Sequence, residues 1–257
     1  MNRMVRRFAE NKAKGRGSLV LYFPIGDTAL DSDVAWAKRY FDNGCDVLEI
    51  GLPYENPALD GPSVSNSMAR ALSKVTLEDV FHSIQDIRRA CPENVLQIMT
   101  YYGNVAKYGA ERFAEICHAC DVDGILTPDA TQAQLHELDE ALGKYDICNL
   151  RFSYYTLTDE MIGDLKQNAR GYVFQQAVNG ATGPQETVDP QVGVNLKRLR
   201  EAGVTTPLFA GFGINHPEQA AQVIAMGAEG VIVGSATINR ILQGDGEAYI
   251  KSLSQVM

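Results

Sequence analysis

A chain of 257 residues carrying a formal charge of −9 is long enough to bury a core without disulfides or a structural metal, and α/β barrels of about 250 residues are routinely one domain. The acidic balance excludes nucleic acid as the expected partner, because phosphate backbones select clustered Lys and Arg. It leaves room for an anionic metabolite held by local backbone N–H groups.

The N-terminus, Met1 to Phe8, is basic but runs into Ala9-Glu10-Asn11-Lys12 with no apolar segment of the kind a secretory signal needs. No apolar run approaches the roughly 18 residues of a membrane span. Five cysteines, an odd number spread from Cys45 to Cys148, do not read as a secreted disulfide framework. The expected location is therefore the cytoplasm. No linker, low-complexity tract or composition shift divides the chain, so residues 1–257 are expected to form a single domain.

Short β-branched apolar runs predict strands near Leu19–Phe23, Val47–Ile50, Leu96–Thr100, Gly124–Leu126, Ile147–Arg151, Tyr172–Phe174, Leu208–Ala210 and Val231–Val233. Between them, helical periodicity runs from Val34 to Phe41, Val80 to Ile87, Phe113 to Ile116, Leu135 to Leu142, Met161 to Leu165, Leu196 to Leu199 and Ala220 to Met226. Tyr249–Val256 closes the pattern, and His216-Pro217-Glu218-Gln219 has the form of a helix start. Strand–helix alternation over a whole chain predicts a parallel sheet, and eight such units in about 250 residues predict a (β/α)8 barrel. The competing doubly wound sheet wants a glycine-rich turn after the first strand, where this chain has Pro24-Ile25-Gly26-Asp27.

In such a barrel, chemistry belongs at the C-terminal ends of the strands. Two late exits carry glycine: Ala210-Gly211-Phe212-Gly213 after the seventh strand and Val233-Gly234-Ser235-Ala236 after the eighth. These two loops most often cradle phosphate, with bare N–H groups and a helix N-terminus aimed at the anion. The sixth exit, Asn179-Gly180-Ala181-Thr182-Gly183, is placed to close the same pocket. Each glycine alone is also what a strand-to-helix turn requires. Glu49 sits within an apolar strand run, where a carboxylate is costly unless it faces the polar mouth; such burial raises its pKa and suits it to proton transfer. The plain alternative is an exposed residue at a strand end. Asp60 supplies a second carboxylate in the next loop, with a turn-forming role before Gly61-Pro62 as its alternative.

With these motifs in hand, the sequence resembles the tryptophan synthase α subunit family from end to end. The resemblance rests on Val20–Asp27, Leu48–Pro62, Met99–Tyr102, Gly211–Gly213 and Gly234–Ser235. It implies a (β/α)8 lyase that cleaves indole-3-glycerol phosphate to indole and glyceraldehyde 3-phosphate, usually beside a pyridoxal-phosphate β subunit that receives the indole. By the same resemblance, Glu49 stands at the position of the general acid/base, and Asp60 at that of the carboxylate which accepts the indole N–H and stabilises positive charge before carbon–carbon cleavage. Gly183, Gly213, Gly234 and Ser235 match phosphate-binding positions. The strand-six loop keeps the family's Thr182 beside Gly183. Tyr22 falls beside the indole and Tyr101 lines the same mouth. No metal or cofactor is implied, since the indole ring serves as electron sink once protonated.

The chain departs from the family in its lid and in the loops that face a partner. Phe174 stands where many members carry a tyrosine, so one polar contact to the glycerol is missing. The strand-six loop, Ala177-Val178-Asn179-Gly180-Ala181-Thr182-Gly183, lacks the usual Ser and Arg. Glu55 and Asn56 replace a small residue and an aspartate, and Tyr102-Gly103-Asn104-Val105 replaces an Asn-Pro pairing, in segments near the β subunit. Survival of Glu49 with Asp60 favours catalysis, as an α subunit or as a stand-alone paralogue. The alternative is a non-catalytic α-like paralogue that binds a phosphorylated ligand and modulates a β-type partner.

Other residues carry less. Cys117-His118-Ala119-Cys120 has redox or zinc spacing but no second cysteine pair, so buried helix cysteines are expected. His82, His118, His136 and His216 fall on predicted helices or their starts. Trp36, Tyr40 and Phe41 read as packing, and Lys197–Glu201 as a solvated helix face.

Overall fold

The structure is a computed structural model that describes residues 1–178 and 187–257. In chain order the elements are α1 (Arg3–Ala13), β1 (Ser18–Phe23), α2 (Asp33–Asp42), β2 (Val47–Gly51), α3 (Pro62–Leu72), α4 (Leu77–Ala90), β3 (Val95–Met99), α5 (Tyr102–Tyr108), α6 (Ala110–Ala119) and β4 (Gly124–Leu126). There follow α7 (Gln132–Gly143), β5 (Cys148–Asn149), β6 (Arg151–Ser153), α8 (Asp159–Asn168), β7 (Val173–Gln176), α9 (Gln191–Glu201), β8 (Leu208–Gly211), α10 (Pro217–Ala225), β9 (Gly230–Val233), α11 (Ser235–Gln243) and α12 (Gly246–Ser254).

The strands form one sheet in the order β5-β4-β3-β2-β1-β9-β8-β7-β6, and every pairing is parallel. Its two ends, β5 and β6, are separated in the chain by Leu150 alone. They are therefore two halves of one barrel strand. The expected single strand over Ile147–Arg151 is thus corrected to two short pieces, one paired with β4 and one with β7. Leu150 still donates its N–H to Ile125 O at 2.8 Å. The next residue, Arg151, points out of the barrel, where its guanidinium is 1% exposed and bridges Asp139 on α7 and Asp164 on α8. The strand changes partner at this step, and the ion cluster anchors the change against two helices.

Alternation sorts the strands into two surfaces. Leu19, Leu21, Leu48, Ile50, Leu96 and Ile98 point outward into the layer shared with the helices. Val20, Tyr22, Val47, Val95 and Met99 point into the barrel. Register places Tyr22 opposite Glu49, and Glu49 opposite Gln97, so one inward row holds all three.

The N-terminal end of the barrel is sealed by charge and by a helix. Asp46, Asp123 and Glu229, each lying just before a strand, accept the N–H of Leu19, Leu96 and Leu208 at 2.9, 2.9 and 3.1 Å. Arg16, Arg88 and Arg200 pair with these carboxylates in turn. Each of these N–H groups at a strand's start thereby finds a charged acceptor that is itself neutralised. α1, which the sequence pattern does not predict, inserts Met4 and Phe8 beneath the interior; Phe8 meets Phe209 edge-on at 4.8 Å. Its polar residues outnumber its apolar ones and mask the helical period. α3, α5 and α11 are likewise absent from the predicted set, being short or rich in small residues. α10 begins as expected, with Pro217 in its first turn and a capping box between His216 and Gln219.

Among the described residues no helix is long and apolar enough to cross a membrane. Cys117 on α6 and Cys120 at its C-terminal cap are buried, and the described cysteines are free thiols.

Candidate active site

The inward row ends in a pocket of about 620 Å³, counting its open mouth, at the C-terminal ends of the strands. Glu49, Asp60, Tyr22, Tyr101, Phe174, Gly213, Gly234 and Ser235 all line it, so the structure brings these sequence-derived candidates to one place. Thr182 and Gly183 lie outside the described residues.

Glu49 lies within β2 rather than at an exposed strand end, and only 4% of it is accessible. Its Oε1 accepts a hydrogen bond from the Gln97 side-chain amide at 2.8 Å. The Gln97 carbonyl in turn accepts from the Tyr172 hydroxyl at 2.9 Å. Burial, reinforced by the nearby charge of Asp60, pushes the Glu49 carboxyl up to about 8, against the opposing effect of the Gln97 contact. A group with that pKa holds both protonation states near neutral pH, which is the requirement for a proton donor that must also accept.

Asp60 is half-buried in the loop between β2 and α3. Its N–H donates to Pro57 O at 3.0 Å, so the turn-forming role exists. Its carboxylate has a second function in the geometry, accepting from the Tyr101 hydroxyl at 2.8 Å. Tyr101 is stacked against Tyr54 with ring centroids 5.1 Å apart. Burial and the Asp60 charge both push the Tyr101 phenol upward, which keeps it a donor. Tyr22 is 2% exposed, and its hydroxyl has no hydrogen-bond partner among the described residues. A Cβ on Gly51 would lie 2.1 Å from that hydroxyl oxygen, so the absent side chain at 51 makes the space it occupies.

The wall opposite the carboxylates is aromatic. Phe174 on β7 packs edge-on against Phe212 at 5.4 Å and tilted against Phe152 at 5.1 Å. Phe212 is held at φ +76°, a left-handed conformation that a bulky side chain rarely adopts, and Gly213 follows at φ +78°. The loop is stitched from behind. Tyr249 donates to Asn215 O at 2.8 Å, the Gln219 side-chain Oε1 accepts the Asn215 backbone N–H at 2.8 Å, and the Asn215 side-chain amide donates to Gly213 O at 2.9 Å.

At the last exit, α11 starts at Ser235 with Gly234 as N-cap and no side-chain cap. Its first N–H groups are therefore available where Gly234, Ser235 and Ala236 border the pocket. Ser235 is 7% exposed and its Oγ is buried without a partner among the described residues. Orphaned N–H groups and an orphaned hydroxyl at a helix N-terminus suit an oxyanion. Among the described residues no group of three or more His, Cys, Asp or Glu is disposed to hold a metal.

Gln97, Tyr172, Tyr54, Phe152 and Phe212 are pocket or network residues that the sequence reading does not single out. The one usable signal is Gln97 itself, an amide in the inward phase of the otherwise apolar run Val95-Leu96-Gln97-Ile98-Met99.

Parallel strands, closure through a split fifth strand, and a carboxyl pair at the C-terminal mouth define the class of (β/α)8 barrel enzymes. Comparison with known proteins narrows the class. The sequence model of the family described as "Tryptophan synthase alpha chain" matches residues 8–256. The tryptophan synthase alpha chain of Geobacter sulfurreducens is 34% identical over 239 residues, 93% of this chain and 89% of the relative. That of Pelobacter propionicus is 34% identical over 251 residues, 96% and 92% of the two chains. Among solved structures, Mycobacterium tuberculosis tryptophan synthase superposes with a TM-score of 0.90 at 27% identity, covering 99% of this chain and 98% of that one. The α subunit from Legionella pneumophila superposes at 0.88 and 28% identity, covering 100% and 98%. The chain belongs to the tryptophan synthase alpha chain family.

Proposed function

We propose that this member of the family cleaves indole-3-glycerol phosphate with Glu49 as the proton-transfer group, Asp60 as the stabiliser of positive charge, and the Gly213 and Gly234–Ser235 exits as the phosphate cradle. Family membership makes the chain a carbon–carbon lyase of tryptophan biosynthesis that releases indole and glyceraldehyde 3-phosphate. The reading carries residues 1–257 as one working domain, in the cytoplasm, with Tyr22, Tyr101, Phe174, Thr182 and Gly183 as further substrate contacts.

In this reading, protonated Glu49 delivers its proton to indole C3, and the ring becomes an indolenine-like cation. Asp60 accepts the ring N–H and offsets the charge where it develops. The carboxylate left on Glu49 then takes the glycerol hydroxyl proton. The carbon–carbon bond breaks, its electron pair returns to the ring, and the hydroxyl carbon becomes the aldehyde. One carboxyl serving twice needs a pKa near the working pH.

The observation that supports this most is the juxtaposition of a buried carboxyl poised at about 8 with a second, hydroxyl-held carboxylate across one aromatic pocket. The test is indole release from indole-3-glycerol phosphate by the purified chain, with Glu49→Gln as control. Release that the substitution abolishes is the expected result. Failure to release indole, alone or with a β subunit added, overturns it. A β-type partner belongs to the same reading, since the family pairs with one. The expected sign is a rise in the cleavage rate on mixing, even though Glu55 and Asn56 alter the loop that meets it.

A further inference from the structure

We propose that Gln97 is the positioning residue for Glu49, and that the Tyr172 hydroxyl orients Gln97 for the task. This rests on Glu49 being the proton-transfer group of the proposed lyase.

In the ionised form it must pass through to take up a proton, the Glu49 carboxylate only accepts, so the Gln97 group facing it is then the NH2. That assignment leaves the Gln97 carbonyl pointing away from Glu49, where it needs a donor of its own. Tyr172 supplies it at 2.9 Å, while the amide reaches Glu49 Oε1 at 2.8 Å. A glutamine amide has two nearly isosteric orientations; the carboxylate selects the one that presents the NH2, and the phenol, donating to the carbonyl, holds the amide there. Among the described residues no other donor reaches the Glu49 carboxyl. One oxygen is thus tied to β3, and the other is left for the pocket that Glu49 lines.

The relay is rigid at every joint. Gln97 is fully buried on β3, in register with Glu49 on β2. Tyr172 is fully buried, stacked on Phe209 with centroids 4.6 Å apart and met edge-on by Phe8 at 6.0 Å. The helix α1 beneath the barrel therefore supports the phenol that sets the amide that sets the carboxyl. Gln97 touches neither pocket nor reacting atoms, so it acts only through Glu49.

The titratable groups that face this carboxyl are Asp60 from the loop after β2, Tyr22 from β1 and Tyr172 just before β7; Tyr101 joins them through Asp60. Asp60 and the neutral phenols disfavour or leave unchanged the ionised form. The Gln97 N–H is the one contact that favours it. Its removal must move the titration upward.

The experiment is a carboxyl titration of Glu49 by 13C NMR on glutamate-labelled protein, with the resonance assigned by its loss in Glu49→Gln. Gln97→Met keeps the shape and removes the donor, and the midpoint is expected to rise by about one pH unit. Tyr172→Phe frees the amide to turn its carbonyl toward Glu49, and a rise of at least a few tenths of a unit is expected. In the indole-release assay the pH profile of kcat should shift with each midpoint while KM stays within about twofold. An unchanged midpoint in folded Gln97→Met overturns the proposal. If that variant does not fold, an unchanged midpoint in the near-isosteric Tyr172→Phe overturns it instead. A chain that releases no indole at any pH defeats the lyase reading, but the titration still decides whether Gln97 holds Glu49.

Discussion

The Tyr101 hydroxyl donates to Asp60 Oδ2 at 2.8 Å and accepts the N–H of Leu59 at 3.1 Å, so one phenol clamps both the side chain and the backbone of the loop after β2. The clamp carries no reacting atom. It decides where the second carboxylate stands. Tyr101→Phe removes both contacts and keeps the ring stacked on Tyr54. The expected loss is about tenfold in kcat/KM, as for a hydrogen bond to a charged group, with little change in thermal stability. Steady-state kinetics beside a melting curve measure both; full activity would remove the clamp from the site.

Asp60 acts on Glu49 through space, its charge being the second cause of the raised pKa after burial. Asp60→Asn should therefore lower the Glu49 midpoint toward the ordinary carboxylate range, because the like charge that disfavours ionisation is gone. Turnover is expected to fall by about two orders of magnitude from the lost charge stabilisation. The pH profile of any residual indole release gives the sign, and an upward shift would contradict it.

The same raised pKa makes a statement about folding. Between the ordinary value of 4.5 and about 8, the folded chain holds a proton on Glu49 that the unfolded chain has lost. Stability from this group is complete below the unfolded value and is lost as pH rises through the folded one. The loss at pH 9 is on the order of 3–5 kcal/mol relative to acid. Glu49→Gln, neutral at every pH, should unfold at higher denaturant than the parent at pH 9 and at nearly the same denaturant at pH 4.5. Parallel curves for the two proteins across this range would refute the buried, perturbed carboxyl.

Ser235 presents a different economy. Its buried Oγ has no partner among the described residues, so none of them offsets its desolvation. Ser235→Ala should leave stability unchanged or raise it by up to about 1 kcal/mol, while weakening binding of a phosphorylated ligand roughly tenfold. Calorimetric titration with glycerol 3-phosphate reads the second effect. Loss of stability without loss of affinity would mean the hydroxyl serves the fold instead.

The arc of eight strands was legible because alternation of apolar runs and helical periods is a local property of the chain. The same holds for Glu49, which stands out as a carboxylate in an apolar run, and for the glycines at the seventh and eighth exits. Where local pattern was weak, elements escaped notice. α1 carries three arginines and one lysine on eleven residues, and α3 opens on Pro62-Ser63-Val64-Ser65. The break at Leu150 was not legible either, since Arg151 leaves the barrel only because Asp139 and Asp164 arrive from two helices to receive it.

The resemblance and the composition reached the chemistry of the site, but not its mechanics. Residue types say that a carboxyl in an apolar strand will have a raised pKa; they do not say which donor opposes the rise. Gln97 lies 48 positions from Glu49 and Tyr172 lies 75 positions from Gln97. Their meeting depends on parallel register and on the inward phase of three strands, which are decided by closure of the barrel. Burial, register and the direction of each side chain are collective properties of the folded chain, and they alone set which oxygen of Glu49 is free to work.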